Sequence, residues 1–382
     1  MTTLFLSAGE VSGDMHGAYL ARALRERHPE IKLVGIGGPR MAEAGVELIA
    51  DVTAHSAVGL IEQIPHVLPV MRAFKLAHKA LAELRPARVV LIDYQGANLA
   101  LAKQARKLGL GTTYYIAPQD WLWHLPGGGP RKVMKAVDHV LAVFPKEAAI
   151  YGAAGGRVTY VGHPLVDIIG AEPRQKGDGQ VVALLPGSRT QEVAHLYPLF
   201  MEVAHVLHTR RPGVRFILPA ASDALYEELR WKVAGQRLPI ELTRGNSLDA
   251  LRRADAALMA SGTATLEAAL LDVPCVAAYK VHWLTAAVAR RLLRVRFVTL
   301  PNIVADRLVI PEYLQDEAEP IPLAHMLNRL LDAPGEVLAG YAQVRDLLGG
   351  PGAIARAAQA ILADAGLEPI QDLAPVGAVG TV

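Results

Sequence analysis

Cysteine is almost missing from this chain: Cys275 is the only one in 382 residues. That excludes an intrachain disulfide framework and any cysteine-rich metal site. Cys275 lies in the apolar run VPCVAAY (Val273 to Tyr279), which reads as a buried core thiol rather than a nucleophile. Aromatic residues are sparse at 5%, and a formal net charge of +2 is too near neutral to argue for nucleic acid. No stretch reaches the roughly eighteen uncharged apolar residues of a spanning helix. The opening MTTLFLSAGE turns polar too soon for a signal peptide. A cytoplasmic protein is expected, with freedom to touch a membrane surface. A dinucleotide fingerprint is missing as well. The first apolar segment runs into Ser7-Ala8-Gly9-Glu10-Val11-Ser12-Gly13-Asp14, which is not GxGxxG, and the second ends in glycines (Gly35, Gly37, Gly38) instead of an acid. No dinucleotide cofactor is therefore expected.

Hydrophobic residues are plentiful at 52%, and the length suits two domains. Short apolar strands alternate with amphipathic stretches throughout. One series comprises Thr3–Ser7, Lys32–Ile36, Arg88–Ile92, Gly111–Ile116, His139–Val143 and Val158–Val161. A second comprises Val181–Leu185, Arg215–Leu218, Ala256–Met259, Val276–Tyr279 and Phe297–Leu300. Helical stretches include Gly17–His28, Leu68–Leu84, Leu196–Arg210 and Ala353–Ala365. Such alternation predicts an α/β protein with parallel sheets covered by helices. The polar, patternless segment Asp167–Gln180 marks a linker. The expected plan is a Rossmann-like domain over 1–166, a second over 167–345, and a C-terminal helix and tail over 346–382 that packs on the first domain or on a partner subunit. Ligands of such sheets bind outside the carboxyl ends of the strands, so the two domains are expected to face a cleft.

Val181–Leu185 runs straight into Pro186-Gly187-Ser188-Arg189-Thr190-Gln191-Glu192. A strand that stops at Gly-Ser-Arg and starts a helix offers unpaired N–H groups and the positive end of a helix dipole to an anion. Gly187 permits close backbone approach, and Arg189 can clamp a phosphate with two hydrogen bonds. Ser261-Gly262-Thr263-Ala264-Thr265-Leu266-Glu267 repeats the design with a carboxylate inside the helix. A phosphate site plus an acid able to hold a ribose outlines a nucleotide-sugar pocket.

Other candidates carry two readings each. Ser12 is an expected N-cap, and Ser12, Gly13, Asp14 and Glu10 could floor a polar ligand site or simply make a tight turn. Asp93 ends an apolar strand, where it serves as general base or as a helix cap. Trp121 and Trp123 form a substrate wall or belong to the core. His163, in Gly162-His163-Pro164, aims into the cleft or makes a hinge turn. Asn302 is a donor into the cleft or a turn residue. Two apolar, basic stretches, Ile64–Glu83 and Leu284–Arg296, lie on an anionic membrane or present solvated faces.

The series SAGEVSGD, GIGGPRM, a strand ending in LID, Trp-x-Trp, VGHPLVD, LLPGSRTQEV, SGTATLEAAL and LPNIVADRLVIPEYLQ resembles the lipid-A-disaccharide synthases over about Leu4 to Leu362. That resemblance implies a GT-B fold and an inverting, metal-free transfer. UDP-2,3-diacylglucosamine would give its sugar to the 6-hydroxyl of 2,3-diacylglucosamine 1-phosphate, leaving a β-1,6 disaccharide and UDP. It implies Asp93 as the base and Gly187, Ser188, Arg189, Glu192, Ser261, Gly262, Thr263 and Glu267 as the UDP-binding set. Glu10, Ser12, Gly13, Asp14, Asn98, Trp121, Trp123, His163 and Asn302 are the candidates for the acceptor side or the cleft. It further implies a peripheral protein at the cytoplasmic membrane face, able to dimerise by exchanging C-terminal segments. Two departures stand out. Gly96 replaces the family's second aspartate, and Ala117-Pro118-Gln119-Asp120-Trp121-Leu122-Trp123-His124 replaces its Ser-Pro-Ser-x-Trp-x-Trp-Arg. Both fall in the acceptor half. A UDP-sugar 2-epimerase, or a sugar-nucleotide protein with another acceptor, is the rival reading.

Overall fold

The computed structural model describes residues 2–52, 64–119, 129–170, 174, 177–245, 247–280 and 296–369, with backbone alone for 64–70. Trp121, Trp123 and all but the last residue of Leu284–Arg296 lie outside them. The chain divides into two compact units, one of Met1–Asp167 with Leu348–Val382, the other of Ile168–Leu347.

Among the described residues the first unit holds seven strands: β1 (Thr3–Ala8), β2 (Lys32–Gly37), β3 (Glu47–Asp51), β4 (Arg88–Ile92), β5 (Thr112–Tyr115), β6 (His139–Ala142) and β7 (Arg157–Tyr160). Their order is β3-β2-β1-β4-β5-β6-β7, and every pairing is parallel. The second unit holds β8 (Val181–Leu185), β9 (Arg215–Ala220), β10 (Ile240–Arg244), β11 (Ala256–Met259), β12 (Cys275–Tyr279) and β13 (Glu312–Leu314). Their order is β10-β9-β8-β11-β12-β13, again all parallel. Interior strands such as β4 and β11 are buried along their whole length, because helices cover both faces of a parallel sheet. That burial is what makes them near-continuous apolar runs.

In both sheets the chain builds outward in one direction and then returns to build in the other. The reversal lies between β1 and β4 in the first unit and between β8 and β11 in the second. A crevice forms at such a point because the two loops leave on opposite sides.

One expected strand is absent. Phe297–Leu300 is a loop entering the helix Leu300–Ala305. The N–H groups of Val298 and Thr299 donate to the Glu312 carboxylate, so they have no ladder to join. Pro301 then favours a helix start.

The helix Ala353–Asp364 packs in the first unit, against the helix Val11–Arg27. Asp167 caps its start, accepting from the N–H groups of Gly352 and Ile354 (2.8 Å for the latter). At its end the fully buried Asp364 carboxylate meets His139 Nδ1 at 2.8 Å, Thr113 Oγ1 at 2.7 Å, Arg157 Nη1 at 2.7 Å and Arg88 Nη2 at 3.2 Å. Burial raises its pKa. The bonds from His139 and Thr113 and the Arg88 charge outweigh that and carry it down to about 2. The helix is thus fixed to the starts of β4–β7.

Candidate active site

At the reversal of the first sheet, β1 passes through Gly9 and Glu10 into the helix Val11–Arg27, and β4 passes directly into Asp93. Asp93 and Tyr94 have φ of 51° and 47°. Two consecutive non-glycine residues in the left-handed region cost about 1–2 kcal/mol each, and strain of this kind concentrates at functional sites. The neighbourhood over-determines it. The Asp93 carbonyl accepts from Asn98 Nδ2 and from the Tyr114 hydroxyl, both at 2.8 Å. The Asp93 carboxylate accepts from Tyr94 N–H (2.8 Å) and from Ser12 Oγ (3.2 Å), while its side chain remains partly exposed.

The remaining acceptor-side candidates separate into support and surface. Ser12 is not the N-cap: the helix begins at Val11 with Glu10 in the cap position, and the Ser12 hydroxyl turns to Asp93 instead. Gly13 allows the helix to approach the strand ends, since a Cβ there would lie 3.3 Å from Ala8 Cβ. Asp14 is no ligand. Its carboxylate is buried and accepts from the N–H groups of Gly38 (2.8 Å), Arg40 (3.1 Å) and Met41 (3.0 Å), capping the next helix. Asn98 is not available to an acceptor either. It is fully buried, takes the Ser7 hydroxyl at 2.6 Å, and donates to the carbonyls of Ile92 and Asp93, tying β1 to β4. His163 belongs to the turn. It is buried against Phe144 at 5.0 Å and accepts from Leu165 N–H, and burial, then His16, lowers its pKa to about 3. Burial favours its neutral form. Glu10 stays partly exposed at the turn.

The second reversal is built differently. Gly187 has φ of 127°, and a Cβ there would lie 2.6 Å from Glu192 Oε2. Only glycine fits. Ser188 is exposed, and the long helix Thr190–Arg210 starts behind Arg189 without a side-chain cap. Its first-turn N–H groups point outward from a helix end that favours anions. Glu192 sits otherwise than an anion ligand would. Its carboxylate takes Ser188 N–H at 3.3 Å and Arg189 Nη1 at 3.0 Å, making it the internal counter-ion of the arginine. A carboxylate bonded to these two donors competes with any anion for them.

At the end of β11, Ser261 donates to the Val298 carbonyl at 2.8 Å, and Gly262 and Thr263 are exposed at the start of the helix Thr263–Leu270. Glu267 lies buried in that helix. Burial raises its pKa, a hydrogen bond from the Ser247 hydroxyl works in the opposite direction, and the result is a net rise. Asn302 is not a donor to a ligand. It is fully buried, and its amide is saturated by the Ile310 carbonyl and Glu312 as acceptors and the N–H groups of Val309 and Ile310 as donors. With Glu312 it fixes the loop that Ser261 grips.

Three residues that touch or lie near these candidates escaped sequence reasoning. Ser247 follows an unrecognised edge strand, and Glu312 begins another. Tyr279 ends β12, and burial raises its pKa, helped by the nearby Glu192 charge and opposed by Arg189. A tyrosine closing an apolar strand is a signal that could have been read.

The family model for lipid-A-disaccharide synthetase matches residues 4–339. The chain belongs to the lipid-A-disaccharide synthase family. It is 38% identical over 375 residues to a lipid-A-disaccharide synthase of Geobacter sulfurreducens, with 94% of this chain and 96% of that one covered. It is 40% identical over 367 residues to one of Pseudomonas aeruginosa, with the same coverage. Among solved structures it resembles UDP-GlcNAc 2-epimerase of Neisseria meningitidis bound to UDP-GlcNAc, at a TM-score of 0.65, 12% identity and coverage of 95% and 100%. It also resembles Acinetobacter baumannii MurG, at a TM-score of 0.56, 15% identity and coverage of 94% and 99%. At such identities the likeness is one of fold. The two Rossmann-like parallel-sheet units are those of the GT-B class, as the motifs predict. In this synthase family member, Gly9, Gly13 and Asp93 follow the strands of the first sheet reversal, and Gly187, Arg189 and Gly262 those of the second.

Proposed function

We propose that the chain makes the lipid A disaccharide. It would move a diacylglucosamine from UDP to the 6-hydroxyl of diacylglucosamine 1-phosphate with inversion. Family membership supports the reaction, and the strained, partly exposed Asp93 at the first sheet reversal is the observation that carries the residue assignment. Asp93 takes the proton of the acceptor hydroxyl as its oxygen attacks the anomeric carbon. The carbon–oxygen bond to UDP breaks, and UDP leaves with the electron pair. Arg189 and the first-turn N–H groups of Thr190–Arg210 meet the charge that grows on the diphosphate. Glu267, held by Ser247, hydrogen-bonds the ribose diol.

The lipid acceptor implies contact with a membrane face. The helix Ile64–Leu84 exposes Met71 (61%) and Leu76 (47%) beside the exposed Arg72, Lys75 and Lys79, a pairing suited to an anionic lipid surface.

A transfer assay with UDP-diacylglucosamine and a panel of acceptors, read by product mass, tests the whole reading. The expected product is a disaccharide 1-phosphate that appears only with both substrates. Conversion of the UDP-sugar by itself would instead make the chain an epimerase.

A further inference from the structure

Tyr94 follows Asp93 directly at the end of β4. Its backbone is the second half of the left-handed pair at the end of β4. Its ring lies directly over Gly9: a Cβ on Gly9 would fall 2.1 Å from Tyr94 Cδ1 and 2.3 Å from Cγ. On another side the ring stacks on the buried Phe74, with centroids 6.3 Å apart and an interplanar angle of 29°. Phe74 belongs to the helix Ile64–Leu84, so the ring is seated between the first turn of the sheet and that helix.

We propose that Tyr94 is a positioning residue, a strut whose ring, seated on Gly9 and Phe74, holds Asp93 in the left-handed turn that presents its carboxylate. The inference rests on the reading of Asp93 as the base. Asp93 has two bonds on its carbonyl, from Asn98 and Tyr114, and one on its carboxylate from the Tyr94 N–H, and the ring adds packing to them. The strain at Tyr94 itself is opposed by the packing of its ring, beside the bonds of its N–H to Asp93 and of its carbonyl from the Asn98 N–H. Without the ring, these bonds alone oppose the strain, and the turn loosens enough to weaken the Ser12–Asp93 contact at 3.2 Å. Gly9 is then the ring's seat. Any side chain there displaces the ring in the same way as its deletion.

The test is a set of full-length variants assayed for disaccharide formation with both substrates varied. Tyr94→Ala is expected to lower kcat at least tenfold, a loss of about 1.4 kcal/mol of transition-state stabilisation, with the KM for the UDP-sugar within twofold of wild type. Tyr94→Phe keeps the ring and is expected to keep kcat within threefold. Gly9→Ala is expected to match Tyr94→Ala, and the double variant to be no worse than either single one, because both break one contact. An unchanged kcat in Tyr94→Ala overturns the proposal. So does a Tyr94→Phe variant as slow as Tyr94→Ala, which transfers the role to the hydroxyl, or full additivity in the double variant. Asp93→Asn is assayed in parallel, and normal turnover there removes the base reading without touching the strut. A crystal structure of Tyr94→Ala then decides the strut alone: positive φ at residues 93 and 94 refutes it, and a relaxed turn supports it.

Discussion

The two sheet reversals share a topology and almost nothing else. In the first unit, the turn after β4 is strained and gripped from inside by the buried Asn98, Tyr114 and Ser7. In the second, the turn after β8 is open, with Ser188 exposed, a helix end uncapped, and an arginine held by its own neighbour Glu192. A base needs one fixed geometry, since proton transfer is sensitive to small displacements. A diphosphate site needs outward donors and charge, which an ordinary helix start supplies without strain. The first reversal is therefore costly and rigid, and the second is simple and accessible.

The largest separation of the two is expected from Asp93→Ala. Loss of a general base should slow transfer by about 10²–10⁴-fold. UDP affinity, measured by calorimetry, should stay within about twofold. A parallel loss of UDP binding would dissolve the division between the units. Next comes Asn98→Ala, which leaves the Ser7 hydroxyl and the Asp93 carbonyl short of partners in a buried site. An unfolding free energy lower by about 3 kcal/mol and a reduced kcat should appear together. Stability unchanged in urea titration would mean that the first turn is held by something else.

Arg189→Ala acts on the other unit. A charge-assisted contact is lost, so UDP should bind about thirtyfold more weakly, or about 2 kcal/mol. The melting temperature should hardly move, because a half-exposed ion pair contributes little to folding. Equal affinity in the variant would place the diphosphate elsewhere.

Much of this contrast is legible in the sequence, and the parts that are not share a cause. Interior strands are buried on both faces, so Val181–Leu185 and Arg88–Ile92 announce themselves as apolar runs. The edge strands β3, β10 and β13 are half exposed and read ELIAD, IELTR and EYL. They carry no such run, and Ser247 and Glu312, which depend on them, were hidden with them. Motif residues were easier to find than to assign. Asp14, Asn98, His163 and Asn302 sit in the right segments, yet each is buried and hydrogen-bonded to backbone groups. Sequence places a polar residue at a strand end; only the direction of its side chain separates a ligand from a brace.

Asp364 offers a comparison by pH. Its carboxyl has a pKa of about 2 in the fold against an ordinary value of 3.8. A depressed acid stabilises the fold above its unfolded value and loses that contribution as pH falls toward the folded one. Roughly 2 kcal/mol should therefore be present at pH 5 and largely gone near pH 2. Asp364→Asn should remove it at neutral pH and narrow the gap to wild type in acid. A gap that is constant with pH would mean that the carboxylate's charge is immaterial to the His139, Arg88 and Arg157 cluster.

The smallest expected effect sharpens the second reversal most. Glu192 holds Ser188 N–H and Arg189, the two groups that a diphosphate would also engage. Its pair with Arg189 is partly exposed at both ends, with 39% and 26% of the side chains accessible, and such pairs are worth only about 0.5 kcal/mol. Glu192→Gln keeps an oxygen for the Ser188 N–H and removes the charge that competes with phosphate. UDP should then bind about twofold more tightly, by calorimetry at low ionic strength, and the gain should shrink in salt as the charges are screened. If the same variant instead weakens UDP tenfold or more, the carboxylate itself holds the nucleotide. The anion site would then be built around Glu192 and not merely beside it.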